Sequence, residues 1–491
     1  MINQRRIFLQ KSVYASAGVA LACPAFGRAR IEAGHEIHTM TIIELARLLA
    51  DGKITSRRLV EQALAAIKDP GGEGKRAFIL VHETAALAAA DRSDAERRAG
   101  AKLPPLAGIP VSIKDNFDEA GIVTLAGSTA LVGAPPAARD SAVVGRLKAA
   151  GAVLVGRTNM TEFAYSGLGI NPHYGTPRNA FDRAASRLPG GSTSGGAVSV
   201  TDGMAACAVG TDTGGSVRIP AALNGLVGFK PTAQRVPLDG VLPLSVTLDS
   251  AGPIARSVGD CALLDRILAG EAETVSAVEG FRGLKFAVPK TVFLDDLSAA
   301  VAAAFSTALG RLSAAGAHIV ELPMAEFARA AEVNPRGAIS SVEAFRWHRQ
   351  LIRDAADKYD PRVIVRIRPG EAIPEANYLE LLAQRQRFVQ QAEAAAHGYD
   401  ALLMPVTPDT APTIAEVLAS DESYFRWNGR MLRNPAIVNL FDGCALSIPC
   451  HEPGSAPVGL MVAGLRNTDR RILAIGHAIE RVVQAGLKAE S

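Results

Sequence analysis

The hydrophobic pattern of the chain changes character near residue 30. Residues 12–22 form a short, mildly apolar run rich in Ala, Gly and Ser, and periodic patterns begin only beyond it. Apolar positions recur at helical spacing over residues 41–51 and 56–68, with Thr41 and either Thr55 or Ser56 as N-caps, so a pair of helices is predicted there. Short apolar runs bounded by Gly and Pro follow at 111–113, 153–155 and 205–209, alternating with helical patterns at 142–149 and 257–268. That alternation predicts an α/β fold with a mostly interior sheet. From about 271 to 397 the chain is richer in Ala, Arg and Glu and mostly helical in pattern, broken by Pro361, Pro369 and Pro374. It reads as a helical, substrate-side insertion. Strands are predicted again at 402–405, 446–449 and 459–463, and a closing helix at 470–484. No fixed-period repeat or long linker divides residues 30–491, which read as one domain.

The 491 residues are 48% hydrophobic and 21% charged, which excludes a disordered, collagenous or multispanning membrane chain. With 52 basic against 49 acidic residues and no block of like charges, no nucleic-acid-binding stripe is present, and small neutral partners are expected. The N-terminal segment sharpens this. Arg5 and Arg6, followed by Phe8 and Leu9 and then by small residues at 24–29, resemble a twin-arginine export signal, with cleavage expected near Ala29. The apolar run is too short to remain as a membrane span. Loss of Arg5, Arg6, Lys11 and Arg28 with this leader converts the formal +3 into −1. The mature protein is therefore expected in a bacterial periplasm or outside the cell, with no stable membrane association. Cys23 leaves as well, whereas Cys207, Cys261, Cys444 and Cys450 lie in apolar contexts expected of free, packed thiols.

The densest candidate chemistry lies in two Gly-rich stretches, PGGSTSGG at 189–196 and GTDTGGSVRIP at 210–220, whose Ser192 and Ser216 stand 24 residues apart. Neither is a phosphate loop: no Lys-Ser or Lys-Thr follows the glycines, and no G-x-G-x-x-G opens a helix. Neither contains the G-x-S-x-G elbow of a Ser-His-Asp hydrolase, because Ser194 and Arg218 occupy the second Gly position. His35 and His38 are the only closely spaced histidines, and no H-E-x-x-H or paired C-x-x-C suggests a metal site. Lys114 ends the apolar stretch GIPVSIKDNF at 108–117; taken alone, such a lysine reads as a snorkelling surface residue.

Taken together, Lys114, Ser192 and Ser216 resemble the amidase signature family. The likeness extends to GRTNMTEFAYSG at 156–167, YGTPRN at 174–179, GLVGFKPT at 225–232, LDSAGPIARSVGD at 248–260 and PAIVNLFDGCALSIPC at 435–450, and the serine spacing equals that of the family. The resemblance implies a central mixed β-sheet covered by helices on both faces, and hydrolysis of a carboxylic amide through an acyl-enzyme without metal or cofactor. Ser216 would be the nucleophile, Ser192, preceded by a cis peptide, the proton relay, and Lys114 the base. Lysine near its ordinary pKa of about 10.4 is charged at neutral pH, so burial has to lower it, and Ile109, Val111 and Ile113 are candidate desolvating neighbours. The backbone N–H groups of Thr213, Gly214, Gly215 and Ser216 would hold the oxyanion, and Asp212 and Arg218 would pair to shape their loop. Asp115 and Asn116 read as loop-shaping too.

Two residues depart from the family pattern, Thr193 in place of Ser or Gly and Ala180 in place of Pro. Candidates for the acyl pocket are Phe163, Tyr165, Phe345, Trp347, His348, Tyr378 and Trp427, with a small apolar or aryl amide as the expected substrate. Homodimers are common in the family. Some relatives instead supply ammonia for tRNA-linked transamidation, an alternative that the leader and the lack of a basic surface disfavour.

Overall fold

The computed structural model describes residues 39–275 and 278–488; the twin-arginine-like leader 1–29, with Cys23, and also His35 and His38, lies outside the described residues. The strands found are β1 (Phe78–Val81), β2 (Pro110–Lys114), β3 (Val153–Thr158), β4 (Cys207–Asp212), β5 (Val227–Lys230), β6 (Ser250–Ala255), β7 (Lys285–Pro289), β8 (His318–Leu322), β9 (Ala401–Pro405), β10 (Cys444–Pro449) and β11 (Gly459–Gly464). They join into one 11-stranded sheet in the order β1-β3-β2-β4-β6-β5-β10-β11-β9-β7-β8. β2 runs parallel to β3 and β4, β7 runs parallel to β8 and β9, and the pairs between β4 and β9 are antiparallel, so the sheet is mixed.

Strand geometry sends successive side chains to opposite faces, and here both faces are covered. Phe286 and Val288, Leu403, Leu446 and Val462 enter one core together with the helices Ile42–Ala50, Val258–Ala269, Ala299–Ala314 and Asp469–Lys488. Ala287, Met404, Ala445 and Met461 enter the other, with Phe327, Phe388 and Phe441. Continuous apolar strands follow from this two-sided burial. The four cysteines Cys207, Cys261, Cys444 and Cys450 are buried, free thiols within it.

The first helix, Ile42–Ala50, begins at a capping box. The Thr41 hydroxyl accepts from the Glu44 amide while the Glu44 carboxylate accepts from the Thr41 amide. Ile42, Leu45 and Leu49 form its buried stripe, and Asp260 receives the otherwise unpaired amides of Ile42 and Ile43 at 3.1 and 3.3 Å. Thr55 caps the second helix, Ser56–Lys68.

The segment 271–397, expected as a mostly helical insertion, also carries strands. It contributes β7 and β8, joined by the crossover helix Ala299–Ala314, and so extends the central sheet beyond β9. Each strand has only five residues, β8 is a half-exposed edge with His318 and Glu321 turned outward, and the Ala-rich helices around them dominate the local composition. Only the later part, with helices Ala338–Ala355, Pro361–Ile367 and Glu375–Ala395, is free of strands. Pro361 opens its helix and Pro374 caps the next, positions where a missing N–H costs nothing. Because β7 belongs to the main core, Phe286→Ala is expected to destabilise the whole fold by about 3–5 kcal/mol. Urea unfolding should show one cooperative transition at lower denaturant.

Candidate active site

Alternation along β2 determines where its lysine goes. Val111 and Ile113 point into the core on one face, so Ser112 and Lys114 belong to the other, where the Ser112 hydroxyl meets that of Ser199 at 2.8 Å on the helix Ser194–Thr201. The apolar neighbours expected to desolvate Lys114 thus face away from it. Its burial comes from the Gly-rich loops and the end of β4. Gly195 lets the start of the helix Ser194–Thr201 lie against the backbone of Ala77 and Asn159, since a Cβ there would stand 2.2 Å from the Ala77 carbonyl oxygen.

Lys114 is fully buried, and its Nζ lies 2.7 Å from Ser192 Oγ, 2.8 Å from Thr211 Oγ1 and 3.3 Å from the Thr211 carbonyl oxygen. Burial pushes its pKa down to about 7, against the opposing pull of the Asp249 and Asp212 carboxylates. A neutral amine has two protons and one lone pair. With the Thr211 carbonyl and hydroxyl oxygens available to its protons, the lone pair is left for the Ser192 hydroxyl. Asn116 donates to the same Thr211 hydroxyl at 3.1 Å. The Gly191–Ser192 peptide is cis.

Ser216 follows β4 by four residues, and its loop is held against that of Ser192 by Thr193. The Thr193 amide and hydroxyl both donate to the Ser216 carbonyl, at 3.3 and 2.6 Å. The threonine that departs from the family pattern therefore ties the two serine loops together, whereas Ala180 is exposed on the surface.

Asp212 and Arg218 form an ion pair with both side chains fully buried. The Asp212 carboxylate also accepts from the amides of Gly215 and Val217 at 2.8 and 3.1 Å and from Asn439 at 2.9 Å, while Arg218 reaches the Pro435 carbonyl at 3.0 Å. Burial opposes ionisation of Asp212, but the guanidinium of Arg218, helped by Lys230 and Asn439, outweighs it and holds the carboxyl well below the usual range. This bond bears on the expected oxyanion donors Thr213, Gly214, Gly215 and Ser216. The Gly215 N–H is already donated to Asp212, which leaves the amides of Thr213, Gly214 and Ser216, and these have no acceptor among the described residues. Gly215 serves by shape instead: its φ is +129°, and a Cβ would come within 2.7 Å of Pro435 and Ile219. Asp115 pairs with the buried Arg157 at 2.7 Å and accepts from the Gly127 amide, which makes it a brace of the following loop.

A cavity of about 110 Å³ opens at Ser216, Thr213 and Gly214, walled by Leu244, Leu248 and Leu432 and, on a polar side, by Asn334, Ser340 and Arg366. Of the seven aromatic candidates only Tyr165 lines it. Phe163, Trp347 and His348 stack on one another and on Tyr359, Phe345 packs against the same cluster, Tyr378 bonds Glu343, and Trp427 packs in a separate cluster. These rings shape the support behind the wall. Arg366 lies over the Tyr165 ring at 4.4 Å and donates to its carbonyl, and no carboxylate among the described residues pairs with it. Its sequence neighbourhood, an arginine-rich helix end, gave no sign that one guanidinium turns inward. Thr211 lay inside the quoted GTDTGGS stretch and was legible only as loop.

Residues 59–473 match the Amidase family model. The chain is 37% identical over 392 residues to 2-amino-5-chloromuconic acid deaminase of Comamonas testosteroni, covering 79% of this chain and 84% of that one. It is 34% identical to the mandelamide hydrolase of Pseudomonas putida, covering 91% and 92% of the two chains. A crystal structure of an amidase superposes with a TM-score of 0.80 at 35% identity, over 90% of this chain and 99% of that one. Removing the Asp212 carboxylate would leave Arg218 buried and unpaired, so Asp212→Ala is expected to cost about 3–5 kcal/mol in denaturant unfolding.

Proposed function

This chain belongs to the amidase signature family, and from that premise we propose that it hydrolyses a small carboxylic amide through an acyl-enzyme on Ser216, relayed by Ser192 to Lys114. The observation that carries the reading is the fully buried Lys114, with its pKa near 7 and its Nζ 2.7 Å from Ser192 Oγ. Attack by Ser216 Oγ on the amide carbon passes the Ser216 proton to Ser192, whose own proton moves to Lys114. The carbonyl oxygen takes the negative charge, and the free amides of Thr213, Gly214 and Ser216 stabilise it; one such donor is worth about 10²- to 10³-fold in rate. Collapse breaks the C–N bond, and Ser192 returns the proton to the departing ammonia or amine. Water, deprotonated along the same path, then releases the carboxylate and restores Ser216.

The cavity supports an acyl group with an apolar body among the three leucines and a polar or anionic substituent toward Arg366. An amide of a dicarboxylic or hydroxy acid fits that division better than a plain hydrocarbon amide, since an unpaired guanidinium in a half-enclosed wall favours a carboxylate. A relative whose name specifies an acid substrate accords with this. The leader pattern at Arg5 and Arg6 supports action outside the cytoplasm.

Replacing Ser216 with Ala is expected to abolish hydrolysis of every amide the native protein cleaves, and Lys114→Met to lower kcat by about 10²- to 10⁴-fold. Unchanged turnover by Ser216→Ala would refute the assignment. Because the neutral lysine is the active form, kcat/KM should rise with pH through about 7 and level off above it. A decline over that interval would exclude a lysine base. Changing Arg5 and Arg6 together to Lys should keep the protein in the cytosol on fractionation, whereas the unaltered chain should be recovered from the periplasm.

A further inference from the structure

Two buried carboxylates stand beside the proposed site with no cation against them. Asp249, immediately before β6, accepts from the Thr213 hydroxyl through one oxygen, and through the other from the amides of Leu244 and Ser245 at 2.9 and 3.1 Å. Glu343, on the helix Ala338–Ala355, accepts from the hydroxyls of Ser245, Thr247 and Tyr378 and from the Thr247 amide. Among the described residues no Lys, Arg or His nitrogen lies within ion-pair distance of either. Burial of an uncompensated carboxylate is costly, and an amide side chain could make similar ties without the charge. The charge on Asp249 therefore needs an explanation.

Its position supplies one. Asp212 and Ser250 are partners across β4 and β6, so Asp249 lies opposite Thr213, the first residue of the nucleophile loop. The Thr213 hydroxyl is consumed by Asp249, which fixes the side chain and with it the direction of a free amide at the cavity. Around the site, Lys114 comes from β2, Asp212 from β4 and Glu343 from the overlying helix. Asp212 is paired with Arg218, with Lys230 nearby, and Glu343 is held by the loop that carries Asp249 and by the Tyr378 hydroxyl. Of the two carboxylates whose field falls on Lys114, Asp249 pulls more strongly than Asp212 and is the one without a cation in contact.

We propose that Asp249 is a positioning residue for the amidase reaction, aiming the Thr213 amide and stabilising the ammonium that Lys114 becomes when it takes the serine proton. This rests on the amidase reading above. Glu343 holds the 244–249 loop in place from the substrate side, so the helix that walls the cavity is tied to the oxyanion donors through two carboxylates and three hydroxyls.

The test uses the full chain and a fluorophosphonate probe, whose rate of attachment to Ser216 is followed by mass spectrometry across pH. Asp249→Asn should label at least about tenfold more slowly at the plateau, as expected for a misaimed oxyanion donor. Its acid limb should move about one unit toward lower pH, because an anion holding the lysine proton has been removed. Thr213→Val should slow labelling while leaving the limb where it is. A folded Asp249→Asn that labels at the native rate, or one slowed with an unmoved limb, overturns the proposal. Should Asp249→Asn fail to fold, Thr213→Val decides: a loss of about fivefold or more supports the proposal, and the native rate overturns it. Failure of the native protein to take the probe at all would instead sink the amidase reading, before any variant is compared.

Discussion

The desolvation of one amine organises this molecule. Lys114 sits at the end of the third strand of an 11-stranded sheet, flanked on both sides by parallel neighbours, where water cannot reach it. An ammonium so placed would ordinarily need a carboxylate in contact. Here it has two hydroxyls and a carbonyl instead, with the nearest carboxylates felt only at longer range. That arrangement lowers its proton affinity to the neutral range without extinguishing it, and the proposed chemistry depends on this balance. Several features of the fold follow from the requirement. Glycines occupy the loops that must close over the lysine, the helix Ser194–Thr201 carries small residues toward β2, and Asp212 is bound so firmly to Arg218 that its charge is largely spent.

The nucleophile loop shows the same economy. Five residues separate Asp212 from Arg218, and one carboxylate collects the amides of Gly215 and Val217 together with the guanidinium. By taking those amides it defines which others remain free. Thr213, Gly214 and Ser216 keep their N–H groups for an incoming oxygen because Asp212 has drawn the turn into that shape. Thr193 completes the frame from the other loop by donating twice to the Ser216 carbonyl.

Most of this was legible in the chain because strands and helices that bury one face announce themselves by period. The helix at 142–149 and the capped helices near the start lie where the pattern set them. β7 and β8 were not legible, since strands of only five residues beside an Ala-rich helix carry no distinguishing period, and β8 is an edge with mixed polarity. Lys114, Ser192 and Ser216 could be singled out through their motifs, but composition could not say that Gly215 would surrender its amide. That the lysine's apolar neighbours face away follows from alternation once 110–114 is placed as a strand, whereas the Gly215 bond depends on how the turn after β4 closes on Asp212.

The cavity wall was the least readable part, and the reason is topological. Its residues come from the loop after β3, the nucleophile loop, the segment before β6, the start of the helix Ala338–Ala355, the helix Pro361–Ile367 and the helix Asp421–Leu440. No window of sequence contains more than a few of them, so large aromatics in the variable middle segment drew attention while they were in fact packing on each other behind the wall. The guanidinium that enters the cavity belongs to a helix whose other arginine, Arg362, pairs with Asp421, and its lack of a carboxylate partner sets Arg366 apart. A proposed catalytic set gathered on two short motifs beside a strand end can thus be nominated from sequence, whereas a cavity wall assembled from six distant segments requires the fold.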